Sequence, residues 1–324
     1  MNALTQSKFA WLLRREYWEH KGGFLWAPAI VGAVMSFFVI ASLIGGSIFK
    51  AKHGIHINGA RVQMNEVLTP EQQADFASGL AQGYLGTSAP LFGVLALVVF
   101  FFCLASMYDD RKDRSVLFWK SLPISDTATV MSKLAMALLI GPIITLVAAT
   151  LTAGLIAFSV TLTSALHGVN MFGVLLSTPD LYLGPFKLLA MLPVYIVWAV
   201  PTVGWLMLVS AWSRSKPFLW AVGAPVLTGV LITWFNALFD LDWNVEWFWA
   251  HIVGRGLLSV SPGSWMPFIE DARGIDFDGH GEHLSQLVSI SWQAFSLPSM
   301  WIGLVVGAAM IYAAVRLRRY RDEG

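Results

Sequence analysis

The sequence predicts an all-α integral membrane protein with six transmembrane helices and with both termini in the cytoplasm. Hydrophobic residues make up 56% of its 324 positions and charged residues only 13%, whereas soluble domains carry about a quarter charged residues. The apolar residues are grouped in long blocks, and an apolar run of about 18 residues or more can cross a bilayer as a helix. Lysine and arginine are concentrated on alternate sides of these blocks, which sets the orientation.

Six apolar blocks are the predicted spans. They cover residues 26–49, 89–107, 134–162, 188–212, 217–239 and 298–315. None of them contains Asp, Glu, Lys, Arg or His. The third block is the longest, so we expect its helix to tilt or to project beyond the bilayer.

Most positive charges lie on one side of this arrangement. That side carries Lys8, Arg14, Arg15, Lys21, Arg111, Lys112, Arg114, Lys120, Lys133, Arg214, Lys216, Arg316, Arg318, Arg319 and Arg321. The other side carries Lys50, Lys52, Arg61, Lys187, Arg255 and Arg273. Because cytoplasmic loops of membrane proteins are enriched in Lys and Arg, the first side is predicted to be cytoplasmic. The whole chain, 1–324, then forms one transmembrane domain.

The segments between the spans have distinct characters. Residues 1–25 are predicted to form a cytoplasmic amphipathic helix lying in the membrane interface, with its leucines and Phe9 opposed to Arg14, Arg15 and Glu16. Segments 50–88 and 240–297 are extracytoplasmic, and residues 70–84 within the first are expected to form a short outer helix. Segment 240–297 is acidic and rich in tryptophan, so we expect interfacial or re-entrant helices there.

Several kinds of chemistry are missing from the sequence. Uncharged spans disfavour a proton-coupled carrier, which needs ionisable groups at membrane depth, although a sodium site built from hydroxyls and carbonyls stays open. A phosphate-binding loop requires a Gly-Lys pair, and the chain contains none. We predict no catalytic residue and no metal site. The single cysteine, Cys103, lies inside an apolar block and is expected to be a packing residue.

The cytoplasmic segment 108–133 is the most distinctive part of the chain. Residues 113–120 favour a short helix that Pro123 ends, and Ser125 or Asp126 can cap the helix that follows. This short helix either lies on lipid headgroups or inserts into a protein partner. Its mixed charge favours a protein partner, but the residues alone leave both interpretations open.

This segment resembles the first cytoplasmic loop of the permease subunits of ATP-binding-cassette (ABC) exporters of the ABC-two type. Members of that family show an acidic residue followed by Arg, then a small residue, a Leu, and a Leu/Thr-Pro-apolar-Ser run. The matching residues are Asp110, Arg111, Ser115, Leu117, Leu122, Pro123, Ile124 and Ser125. The chain departs from the family at Asp110, where Glu is common, and at Arg114-Ser115, where Gly is common.

The resemblance implies a function and partners. Two permease chains, expected to be a homodimer, would pair in the cell (inner) membrane of a bacterium, and separate ATPase subunits would carry ATP and Mg. The loop helix, residues 113–122, would be the coupling helix seated in the ATPase. The expected contact residues are Asp110, Arg111, Asp113, Arg114, Val116, Leu117, Phe118, Trp119, Leu122 and Pro123.

The second and fifth spans would line the pathway in such a permease. Leu95, Phe102, Leu231 and Phe235 are the candidate lining residues, and their apolar character implies an amphipathic or lipid-like cargo. No nucleic-acid partner is expected from a net charge of +1. The alternative function is an ion-coupled carrier or channel that works without an ATPase.

Overall fold

The computed structural model describes residues 3–53, 56–57, 60–61, 69–112, 125–167, 171–177, 179–274 and 283–320. Within these residues six helices are long and apolar enough to cross a membrane. Spans 1 to 6 are Lys8–Ile48, Gly83–Lys112, Asp126–Leu166, Leu192–Trp212, Leu219–Phe239 and Pro298–Tyr320. The prediction of an all-α protein with six apolar spans is therefore confirmed. The predicted coupling helix, residues 113–122, lies outside the described residues.

Most of the described chain is α-helical. The α-helices are Ala3–Lys21, Ala27–His53, Pro70–Ala105, Tyr108–Lys112, Asp126–Ala135, Gly141–Leu166, Phe172–Ser177, Pro179–Ala190, Leu192–Trp212, Ala224–Phe239, Val245–Phe248, Arg255–Leu258, His283–Gln293 and Pro298–Tyr320. π-Helical turns occupy Gly22–Trp26, Met136–Ile140, Leu219–Gly223 and Trp249–Gly254, and 3₁₀ turns occupy Met266–Phe268, Glu270–Gly274 and Ala294–Ser296. Two short strands, His56–Ile57 and Ala60–Arg61, pair antiparallel with His56 opposite Arg61.

Three of the π-helical turns each end two residues before a proline. These prolines are Pro28, Pro142 and Pro225. Proline has no N–H to donate, and its ring clashes with the carbonyl four residues earlier. A widened turn re-registers the hydrogen bonds at that point, so spans 1, 3 and 5 continue as helices through their prolines.

The helices extend further than the apolar blocks. The interfacial helix predicted for residues 1–25 continues through the first π-helical turn into span 1. The short outer helix predicted for residues 70–84 is the beginning of one long helix, Pro70–Ala105, that forms most of span 2. A capping box at Thr69 and Gln72 starts that helix, with Thr69 N donating to Gln72 Oε1 at 3.0 Å.

Span 4 is the central helix of the bundle. Of its apolar stretch 67% is buried, whereas the share in span 5 is 6%. Spans 4 and 6 touch backbone to backbone, because a Cβ added at Gly204 would lie 2.5 Å from the carbonyl oxygen of Gly307. Gly303 and Gly307 form a Gly-x-x-x-Gly pair on span 6, the spacing that allows two membrane helices to approach closely.

Candidate functional site

Five charged side chains from four parts of the chain meet at one end of the bundle. They are Glu16, Asp110, Asp126, Lys133 and Arg318, and we call them the ionic cluster. They come from the N-terminal helix, the end of span 2, the start of span 3 and the end of span 6. We call this end of the bundle the basic end, since the charged flanks of these spans meet there.

The ion pairs of the cluster form a chain. Lys133 Nζ lies 3.3 Å from Glu16 Oε2 and 3.6 Å from Asp110 Oδ2. Arg318 then joins Asp110 to Asp126, with Nη1 at 2.8 Å from Asp110 Oδ2 and Nε at 3.3 Å from Asp126 Oδ1. The side chains of Glu16 and Lys133 are 0% and 1% exposed, so their charges are shielded from solvent and depend on one another.

Helical spacing brings Glu16 to this position. Leu12, Glu16 and Phe24 are all buried, and they recur at multiples of four residues along one continuous helix, which places them on one face. The prediction that Glu16 lies on the polar side of the N-terminal helix is therefore wrong, whereas Leu12 is buried and Arg14 exposed as predicted. A carboxylate at the spacing of the buried apolar residues was the signal available in the sequence.

The first turns of span 3 position two further members. Ser125 caps the helix, its Oγ accepting from Ala128 N at 3.2 Å, as predicted from the sequence. Asp126 follows in the first turn, and Lys133 lies seven residues later, two turns along the same face. One helix face therefore presents a carboxylate and an ammonium to the other elements of the cluster.

Span 4 is tied to the same end by hydrogen bonds. Ser210 Oγ accepts from the backbone N–H groups of Met107 and Tyr108, each at 3.0 Å, where span 2 ends. Arg111 Nη2 donates to the carbonyl oxygens of Ser210 at 2.5 Å and Ser213 at 2.9 Å. Arg111 thus binds the end of span 4 within this chain.

Arg15 adds a further cation to the cluster. Its Nη2 lies 2.6 Å from Glu16 Oε1, and its Nε lies 3.4 Å from Oε1 of the exposed Glu19. Breaking a buried ion pair by removing one partner leaves an uncompensated charge and is strongly destabilising.

Ligand atoms of Glu16, Glu19 and His20 also lie within 4.8 Å of one another. Arg15 and Lys133 already pair with the Glu16 carboxylate, so this group has a structural explanation without a metal.

The predicted contact residues divide into two groups. Asp110 and Arg111 are described, and both bind side chains or carbonyl groups of other spans. Asp113, Arg114, Val116, Leu117, Phe118, Trp119, Leu122 and Pro123 lie outside the described residues. The described chain stops at Lys112 and resumes at Ser125, next to two members of the ionic cluster.

The four candidate lining residues are not brought together within the chain. Leu95 and Phe102 are buried in the core, at 1% and 5% exposure, and Phe102 packs edge-on against Phe24. Leu231 and Phe235 are exposed on span 5, at 44% and 41%. Their role in a pathway stays a prediction.

A buried cation, Arg255, lies in the opposite half of the bundle. Arg255 comes from segment 240–297, and its guanidinium lies 4.1 Å from the ring centroid of Trp198 on span 4. Its carbonyl accepts from Thr202 Oγ1 at 2.8 Å, and its Nη1 donates to the carbonyl of Ser299 on span 6. Thr202 lies ten residues into span 4, about 15 Å from its start. Segment 240–297 therefore folds back along the spans to near their middle.

Arg255 is buried without a carboxylate partner among the described residues. Its Nε and Nη2 have no hydrogen-bond partner there. Nη2 packs directly against Gly303, since a Cβ added at Gly303 would lie 2.6 Å from this nitrogen. Arginine keeps its charge in proteins, and the Trp198 ring and the Ser299 carbonyl are contacts that stabilise this guanidinium.

From the sequence, Arg255 was predicted only to be one of the few charges on the less basic side of the membrane. It is the sole Lys or Arg between residues 217 and 272, within a stretch that is otherwise rich in apolar and aromatic residues. That isolation is a signal for a buried cation. Its depth is set by packing against spans 4 and 6, which sequence spacing does not reveal.

Comparison of this chain with protein-family models, with curated proteins and with solved structures finds no match.

Proposed function

We propose that this chain is the membrane-spanning permease subunit of an ATP-driven ABC exporter. In this proposal the basic end and both termini face the cytoplasm, and segment 240–297 enters the membrane from the opposite side as a re-entrant element. A separate ATPase binds ATP and Mg and docks on the loop 113–124. The family resemblance of that loop in sequence supports this assignment.

The observation that carries the proposal is the position of the ionic cluster. Both ends of loop 113–124 are anchored in it, through Asp110 on one side and Asp126 on the other, and Arg318 binds both carboxylates. Lys133 extends these contacts to Glu16 of the N-terminal helix. A displacement of the loop by a docked protein would therefore be passed to spans 1, 2, 3 and 6 together.

The energy source in this proposal lies on another chain. A nucleotide-binding loop holds phosphates with backbone amides and a lysine that follows glycine, and the sequence lacks the Gly-Lys pair. The side chain of Arg255 packs against the middle of the spans, and an arginine keeps its proton in proteins. It is therefore unsuited to carry protons in a proton-coupled carrier.

A second permease chain is proposed to cover span 5. This span exposes a run of large apolar side chains, among them Leu227, Leu231, Trp234, Phe235 and Leu238. Span 2 adds to the same side, because Phe101 stacks on Phe218 at the start of span 5 with their ring centroids 6.3 Å apart. A pathway between two copies would run along this surface, with an apolar lining suited to an amphipathic cargo.

The test is coupling to a separate ATPase. The chain is co-expressed with an ATPase encoded beside it, and both co-purification and ATP hydrolysis are measured. We expect the purified permease alone to hydrolyse no ATP and the complex to do so. Replacing Phe118, Trp119 and Leu122 together with serine should abolish co-purification, because docking of a coupling helix depends on its apolar side chains.

A matched control is Leu166→Ser at the far end of span 3, where Leu166 is 79% exposed. It should leave the ATPase bound. If the triple variant is folded and still binds and stimulates the ATPase, the coupling assignment is wrong. Transport driven by an ion gradient in proteoliposomes that contain this chain alone would instead establish the carrier or channel.

A further inference from the structure

A cavity of about 380 Å³ lies inside the single chain, away from the ionic cluster. Its walls come from spans 2, 3 and 4 and from segment 240–297. They include Phe92, Gly93, Ile143, Leu146, Leu192 and Trp265. Such a volume is within the usual range for small-molecule sites, and at about 30 Å³ per water-sized group it holds about a dozen non-hydrogen atoms.

The walls of the cavity are almost entirely apolar. Two of the polar groups there are already bound within the chain. Ser88 Oγ donates to the carbonyl of Tyr84 at 2.6 Å, and Trp265 Nε1 donates to Ser291 Oγ at 3.0 Å. Apolar cavities of this kind stay dry and bind apolar ligands. The hydroxyl of Tyr195 also lines the cavity and has no hydrogen-bond partner among the described residues. The occupant should therefore be largely hydrocarbon, with at most one polar group facing Tyr195.

The cavity is not sealed from the side of the bundle. Ala89, Gly93 and Ile143 line it and keep exposed surface. One and two turns beyond Ile143 on span 3, Val147 and Leu151 are 53% and 69% exposed. In a membrane an apolar surface of this kind faces lipid tails, so the nearest source of hydrocarbon is the bilayer itself.

We propose that this cavity binds one acyl chain of a membrane phospholipid. The chain enters from the side of the bundle and lies between spans 2, 3 and 4, with its far part against Trp265. The inference does not rest on the proposed function, because the cavity lies within one chain and involves neither the loop 113–124 nor a second copy. It assigns a lipid site to the half of the spans away from the basic end.

The test uses phospholipid with a diazirine group midway along one acyl chain. The purified protein is reconstituted in vesicles of this lipid and irradiated, and the adducts are mapped by mass spectrometry. The informative residue is Trp265, to which adducts are assigned by fragmentation of the peptide 261–266. Trp265 is 1% exposed, so lipid surrounding the protein does not reach it, whereas its neighbours in the peptide are partly exposed. We expect adducts at Trp265 in addition to those on the outer surface.

Gly93→Leu provides the blocking variant. Gly93 lines the cavity, and a Cβ added there meets no atom within 4 Å. A leucine at this position therefore adds bulk at the cavity wall without a clash at its Cβ, and adducts at Trp265 should fall several-fold. Gly86→Leu is the matched control, because Gly86 also has nothing within 4 Å, lies on the same helix and is not part of the wall. It should leave the adducts unchanged.

Two results would overturn the proposal. One is the absence of adducts at Trp265 in the unmodified protein. The other is an equal adduct yield in Gly93→Leu, with labelling of the buried Cys103 on heating used to show that the variant is folded. Labelling by a diazirine fatty acid but not by the phospholipid would exclude the lipid as the source of the acyl chain.

Discussion

Lys133→Met tests whether the ionic cluster holds the basic end together. Methionine keeps most of the length of the side chain but removes the charge that lies 3.3 Å from Glu16 and 3.6 Å from Asp110. At an effective dielectric constant of about 20, each attraction is worth roughly 5 kcal/mol before the desolvation of the ions is subtracted. Breaking a buried pair from one side costs about 3–5 kcal/mol. We expect a loss of that size in the free energy of unfolding.

The sole cysteine provides the assay. Cys103 is fully buried, so a thiol-reactive dye labels it only when the core opens on heating. The expected loss lowers the melting temperature by roughly 5–10 °C. Lys112→Met is the matched control, because Lys112 is exposed and exposed charges contribute little to stability. Its melting temperature should stay at the wild-type value.

A double variant separates loss of the ion pair from loss of packing. In Glu16→Gln with Lys133→Met the carboxylate left behind by the single variant is neutral. The combined loss should therefore be smaller than the sum of the two single losses, with a coupling of about 0.5–3 kcal/mol. Two results would refute the role given to the cluster. One is a Lys133→Met variant with the melting temperature of the wild type, and the other is a double variant whose loss in unfolding free energy equals the sum of the two single losses.

Two further substitutions test the contacts of span 4. Gly307→Ala should destabilise the chain by about 1–3 kcal/mol, because the added Cβ would lie 2.6 Å from the carbonyl oxygen of Val200. Gly154→Ala on span 3 is the control, because its Cβ meets open space. Equal melting temperatures of the two variants would contradict the backbone contact. Ser210→Ala should cost about 1–3 kcal/mol, because it leaves the two N–H groups at the end of span 2 without their acceptor. Ser159→Ala, which removes a hydroxyl bonded only within its own helix, is the control, and a melting temperature of Ser210→Ala no lower than that of Ser159→Ala would contradict the prediction.

The spans were predictable because hydrophobic length is a local property of the sequence. All six apolar blocks coincide with helices, and the cap at Ser125 was also anticipated. The helix ends were not anticipated, since helices such as Pro70–Ala105 continue beyond the apolar residues on capping and propensity alone. The π-helical turns follow from the prolines only once the helix is known to continue through them.

The candidate site was much less predictable. Lys133 and Glu16 are 117 positions apart, and Arg318 and Asp110 are 208 apart. Pairings over such separations depend on how the helices pack, which a single sequence does not encode in any local pattern. Asp110 and Arg111 were expected to face a partner, whereas their described contacts are to spans 6 and 4 of the same chain. A role in binding a partner would have to act through these contacts.

The two buried charge arrangements differ in a way that bears on the proposed mechanism. The ionic cluster links the ends of spans 1, 2, 3 and 6, while Arg111 adds the end of span 4. In the other half of the bundle, Arg255 and the glycine contacts fix segment 240–297 to spans 4 and 6. Span 5 has no charged contact of this kind: hydrogen bonds from Trp205 and Trp249 reach it, and it is almost entirely exposed. In an ATP-driven permease, force applied at the loop would therefore move these five spans as a unit, and span 5 with its partner chain would be where the movement opens a pathway.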